Sequence, residues 1–276
     1  MLNVLHTQLY RLKKSKLFWA LFIVCAVLPL LGSLLVRGGV SLIFGLLDGD
    51  VEDLNSAFQS EGGILTLSLL GGQISLSSNA ALFSLICSSI FLSGEFSGGA
   101  IRNMVLANKS RTQIFFSFLS TALIIGCSYF GASYVSTVAC YGIMMGFGGV
   151  TAGQALSGCF TTLFLALISI AVVQSCVCFF LFTTRKTGPT VAFPLLLVIF
   201  VPSLITTVVE IVVALNAFAG EQISEVVISW IPFTNMNLFS AAHVDGALVG
   251  KIAMYNIPIA ALFGVFGWLA SKKDMK

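Results

Sequence analysis

Residues 112–184 read TQIFFSFLSTALIIGCSYFGASYVSTVACYGIMMGFGGVTAGQALSGCFTTLFLALISIAVVQSCVCFFLFTT, 73 positions without an Asp, Glu, Lys or Arg. About 20 apolar residues of helix cross a bilayer core about 30 Å thick, so this run is too long for one crossing. It divides at Gly146, Gly148, Gly149, Gly153 and Gln154, a glycine-rich stretch that reads as a turn with a helical segment on either side. The other long charge-free runs are 17–36 (20 residues), 62–94 (33), 187–209 (23) and 252–271 (20). Six spans result, at about 17–36, 68–93, 112–140, 158–182, 190–213 and 252–271.

Composition agrees with this division. Of 276 residues, 57% are hydrophobic and 9% charged, whereas a soluble domain carries roughly a quarter charged residues to cover its surface. Intrinsic disorder is excluded too, because disordered chains are polar and highly charged. The sequence therefore predicts an all-α polytopic membrane protein, one permease-like domain over 1–276. A further charge-free run, 226–244, the candidate for a seventh span, is interrupted by Pro232, Thr234, Asn235, Asn237 and His243, whose polar groups would lack partners in hydrocarbon. A seventh span would also place Lys272, Lys273 and Lys276 opposite Lys13, Lys14 and Lys16, against the rule that basic residues collect on the cytoplasmic side. Residues 216–250 are read instead as an outer re-entrant segment, and 37–66 as an outer loop.

With six spans and both termini inside, the inner segments hold 12 of the 14 basic residues against Glu95 and Asp274, a balance of +10. The outer side keeps Arg37 and Lys251 against nine acids, a balance of −7, which together give the chain's +3. The basic character is thus a topology signal and does not point to nucleic acid. The start does not read as a cleaved signal peptide, since sixteen residues precede a full-length span. Leu2, Leu5, Leu9 and Leu12 fall at helical spacing beside Arg11, Lys13 and Lys14, which predicts an amphipathic helix over 2–16 lying on the inner leaflet.

Chemistry-bearing residues are sparse. The string nearest a phosphate-cradling GxxxxGK[ST] loop is Gly246 to Ile252, one residue short between its glycines and with no hydroxyl after Lys251. ATP chemistry, catalysis and cofactor binding are therefore not expected of this chain. His6 and His243 fall on opposite sides of the membrane, which leaves no His-based metal site. The seven cysteines read as apolar packing residues. Asp48, Asp50, Glu52 and Asp53 lack the Gly and bidentate Glu of a calcium loop and read as a solvated acidic stretch. Three residues stand out as pathway candidates. Glu210 is a carboxylate within an apolar stretch, near the outer boundary. Gln73 and Asn79 sit in a second span rich in serines, where their amides need partners or water.

The inner segment 94–111 between spans two and three reads GEFSGGAIRNMVLANKSR. Ile101, Met104 and Val105 can make a short amphipathic helix between Gly98-Gly99 and Asn108, with Arg102, Lys109 and Arg111 toward the inner leaflet or a partner. This pattern resembles the ABC-2 type permeases of ABC transporters, whose second inner segment runs from an acidic-aromatic pair through a Gly-small-Ile-Arg-Asn core to Ser-Arg. The matching residues here are Glu95-Phe96, Gly99-Ala100-Ile101-Arg102-Asn103 and Ser110-Arg111; Ala100 stands where a hydroxyl residue is common. The resemblance implies that residues Glu95, Phe96, Ser97, Gly98, Gly99, Ile101, Arg102, Asn103, Met104, Lys109 and Arg111 form a coupling loop. It would dock on a separate ATP-binding subunit, which would carry ATP and Mg, and two permease chains would pair. It also implies short outer helices near 221–229 and 241–249, and a bacterial cell-membrane exporter of amphipathic peptide, antibiotic or lipid-like cargo, similar to self-protection permeases. A secondary transporter or channel working without an ATPase is the alternative; ionisable residues near the midplane or an inverted repeat with broken helices would mark it, and the sequence shows neither beyond Glu210.

Overall fold

The computed structural model describes residues 2–46, 62–64, 66–73, 75, 78–98, 110–145, 148–215, 236, 239–241 and 243–272. Every regular element among them is helical. In chain order they are α1 (Leu2–Lys14), α2 (Lys16–Leu46), α3 (Gly62–Gly72), α4 (Asn79–Ser97), α5 (Arg111–Met145), α6 (Ala152–Thr184) and α7 (Thr187–Leu195). A π-helical turn (Leu196–Phe200), α8 (Val201–Leu215) and α9 (Gly246–Lys272) complete them. Six helices are long and apolar enough to cross a membrane, namely Lys16–Gly39, Asn79–Phe96, Arg111–Met144, Ala152–Thr184, Thr187–Ile205 and Gly246–Lys272. Their length and composition make this a multi-pass membrane protein.

The bundle is built around α6, 67% of whose span is buried, against 17% for α2 and for α9. α9 packs along α6, α2 along α5, and α4 is wedged among α5, α6 and α7. The outward faces of α2 and α9 carry Ile23, Leu31, Leu34, Leu35, Met254, Leu262 and Phe266, all exposed, as suits helices whose solvent is lipid. The interior is rich in small hydroxyl residues, including Ser84, Ser88, Ser93, Thr137 and Thr162. Such residues let transmembrane helices approach closely, and their hydroxyls donate to carbonyls of their own helix, as Ser88 does to Leu85 and Thr162 to Gly158.

The expected turn between spans three and four is present but narrower than expected, since α5 runs on to Met145 and α6 opens at Ala152, which puts Gly153 and Gln154 inside the helix. Gly149 has φ 77°, and Thr151 then caps α6 in a reciprocal capping box with Gln154. α6 closes on Arg185, which takes the left-handed conformation, φ 56°, usually left to glycine at this position. In span five, Pro194 has no N–H to give Thr190, and the Thr190 carbonyl accepts instead from the Ser89 hydroxyl of α4 at 3.1 Å. A neighbouring helix thus satisfies the group the proline releases, and the π turn follows directly.

Other boundaries differ from expectation as well. Span two is not one helix over 68–93: α3 ends at Gly72, Gln73 stands in a turn, and α4 begins at Asn79 under a Ser78 cap. The Gly71-Gly72 pair and the serines after it favour a break that apolar counting does not see. The outer loop expected from 37 begins later, since α2 continues to Leu46. The span expected over 190–213 is divided by the π turn. No helix covers 241–249 as a unit, because 239–245 are irregular where described and Gly246 opens α9. The helix expected near 221–229 lies outside the described residues.

Candidate functional site

Two polar regions are built into this scaffold. The first is at the end of the bundle where Arg11, Glu95, Arg111, Arg185 and Lys272 gather, called here the basic end. Glu95, in the last turn of α4, is 7% exposed. Arg11 of α1 donates from Nη1 to Glu95 Oε1 and Oε2 at 2.8 and 2.7 Å. Next to it, Phe96 meets the rings of Phe118 and Phe182 edge-on, with centroids 5.8 and 5.3 Å away. Leu92, Ile114, Phe115 and Leu181 complete that cluster, which joins α4, α5 and α6. Ser97 is the last residue of α4, and Gly98 closes it by donating from its N–H to the Gly94 carbonyl at 2.9 Å. On the far side of the loop, the Ser110 hydroxyl accepts from the Gln113 N–H, and Arg111 donates to the Lys272 carbonyl at 2.7 Å. Both feet of the 99–109 loop are thus anchored. Gly99, Ile101, Arg102, Asn103, Met104 and Lys109 themselves lie outside the described residues.

α1 packs against α5 through a face that shares Leu12 with the leucine stripe but is turned toward Val4 and Gln8. Val4, Gln8 and Leu12 are buried, while Leu5 and Leu9 are only partly so. Gln8 Oε1 accepts from Ser117 at 3.0 Å and from Thr121 at 2.7 Å. Arg11 and Gln8 were not singled out in the sequence, since each depends on a partner more than 80 residues away.

The second region is the break in span two. Gln73 Oε1 accepts from the Ser133 hydroxyl at 2.6 Å, and the same residue lines a cavity with Ser78, Ala81, Ser84, Phe130 and Ser169. Asn79 is exposed at the start of α4 and does not line it. Glu210 lies on α8. Gln174 of α6, fully buried, donates from Nε2 to Ser84 Oγ at 3.2 Å, while its Oε1 has no partner among the described residues. The rule that singled out Gln73, an amide inside an apolar span, applies equally to Gln174, which sequence reasoning missed.

Fold and site together define a multi-pass helical membrane protein with anchored helix ends on either side of residues 99–109 and a polar break in its second span. Comparison with protein-family models, with curated proteins and with solved structures found no match to this chain.

Proposed function

We propose that this chain is the membrane-spanning permease subunit of an ATP-driven exporter, with the 99–109 loop receiving force from a separate ATP-binding subunit. The observation that supports this most is the way the loop is mounted. Glu95 ties α4 to α1, Phe96 ties it to α5 and α6, and Arg111 ties α5 to α9. A push on such a loop moves the basic ends of several spans together, whereas a loop on loose feet would dissipate it. The loop pattern from Glu95 to Arg111, similar to that of ABC-2 permeases, gives the partner its chemistry, and the inside-positive charge balance gives the cytoplasmic side its place. The cargo is an amphipathic peptide, antibiotic or lipid-like molecule leaving a bacterial cell, and two permease chains line its route.

The experiment is purification of the complex in mild detergent with Ile101→Glu and Met104→Glu variants. The wild type is expected to bring down a subunit carrying GxxxxGK[ST], and the double variant to lose it while keeping its own fold. Retention of the subunit and of cargo-stimulated ATP turnover in the variant overturns the coupling role. A second reading, a transporter or channel working without an ATPase, is favoured by the broken helix of span two, a device of secondary transporters. Its mark would be cargo movement by the purified chain alone.

A further inference from the structure

The break between α3 and α4 leaves polar groups inside an apolar slab. Along α4, Ser84 lies about 20 Å from the basic end, and Ser169 lies about 22 Å along α6 from its own, at 1.5 Å rise per residue. Both are past the middle of a core about 30 Å thick. The cavity there measures about 10 Å³ and is lined by Gln73, Ser78, Ser84 and Ser169 among apolar neighbours such as Phe130, Ile170 and Val173. That is the room of one water molecule.

Hydrogen-bonding capacity remains unspent on its walls. One end of the Gln73 amide is bonded to Ser133; whichever way the amide is turned, its other end makes no hydrogen bond with the described residues. Ser169 is 5% exposed, and its hydroxyl likewise has no partner among them. Ser78 accepts from the Ala81 N–H and still has its own proton to give. Ser84, by contrast, has already given its proton, to the Ala81 carbonyl, and accepts from Gln174. The first-turn amides of the 19-residue α4 start at the same place and favour an electron-rich atom there. The described lining holds no Lys or Arg, so an anion would be desolvated without a counter-charge, a large cost. A neutral molecule with one oxygen fits.

We propose that this cavity binds one water molecule, bonded to Gln73, Ser169 and Ser78, which bridges the break in span two to α6. Three partners match the usual coordination of a buried water. The water lets the backbone turn inside the slab without leaving Gln73 and Ser169 unsatisfied.

The test is a cryo-electron-microscopy map of the full chain in lipid nanodiscs, at a resolution that shows ordered solvent, together with X-ray hydroxyl-radical footprinting. A peak about 2.7–3.2 Å from both Gln73 and Ser169 is expected. Phe130, on the cavity wall, is expected to be oxidised several-fold faster than Phe118, which is buried in the aromatic cluster at the basic end. Ser169→Val removes one partner and fills the space, and should bring Phe130 down to the rate of Phe118. If that variant does not fold, Gln73→Met carries the same expectation. Absence of the peak, density of an acyl chain in its place, or Phe130 oxidation unchanged by the substitution overturns the proposal.

Discussion

Replacing Arg11 with Met, which keeps most of the stem and removes the guanidinium, isolates the contact that pins α1 to the foot of the loop. The wild-type pair has two N–H···O contacts, at 2.8 and 2.7 Å, to a carboxylate whose side chain is 8% exposed, while the Arg11 side chain is 53% exposed. Each hydrogen bond to a charged group is worth about 1.5–3 kcal/mol. One donor nitrogen serves both oxygens and the guanidinium remains half in water, so solvent screening reduces the total. The loss expected is about 2 kcal/mol, or some thirtyfold in the equilibrium between docked and undocked α1. At about 2–4 °C per kcal/mol for a chain of this size, the unfolding midpoint should fall by roughly 4–8 °C.

Unfolding can be read with a thiol-reactive fluorophore, because Cys25, Cys87, Cys176 and Cys178 are free and buried. A double-mutant cycle with Glu95→Gln isolates the pair term, and the double variant should be less destabilised than the sum of the single ones by about 1–2 kcal/mol. Much of this coupling should persist at high salt, since one partner is buried. Additivity within about 0.3 kcal/mol, or a coupling abolished by salt, would refute the assignment of Arg11–Glu95 as a half-buried latch.

Gly158 and Gly71 grip Ala241 from two sides. A Cβ on Gly158 would lie well inside contact distance of the Ala241 carbonyl, and one on Gly71 would stand 2.9 Å from the Ala241 nitrogen. Gly158→Ala should therefore displace the 239–241 segment at a cost of about 1–3 kcal/mol. Since the Ser68 and Ser240 hydroxyls are 3.4 Å apart, cysteines at those positions should cross-link readily in the wild-type background and poorly with Gly158→Ala; equal yields contradict the grip. Gln174→Met loses one hydrogen bond but also removes a buried oxygen with no partner among the described residues. The two effects nearly cancel, so the midpoint should move by less than about 1 kcal/mol equivalent, and a fall beyond about 2 would mean that oxygen is bonded.

The six spans were legible because charge is excluded from hydrocarbon and the intervals between charges measure the slab. The turn at Gly149 was marked by its glycines, whereas the cap at Thr151, which draws Gln154 into α6, was not read. The break before Asn79 was not read, although Gly71-Gly72 and Ser78 stood in the sequence. Ser133, 60 residues away, supplies the partner that lets a turn persist there, and no local pattern announces it. α1 shows a different limit. Its leucines mark the apolar face, but near a membrane that face can serve lipid, and the face packed on α5 centres on Gln8 because Ser117 and Thr121 await it. The contacts that mount the loop are equally non-local, joining Arg11 to Glu95 and Phe96 to Phe182.

Span five has the mechanics of a cantilever. Its first part, α7, is clamped between α4 and α6, whereas α8 beyond the π turn packs chiefly on that turn among the described elements and exposes Leu204, Val208 and Ile211. The arm of 15 residues is about 22 Å long at 1.5 Å per residue. A bend of roughly 10° at the π turn, where the hydrogen-bond ladder is already shifted, would carry its tip by about 4 Å, with the clamped root at Thr190 and Ser89 unmoved.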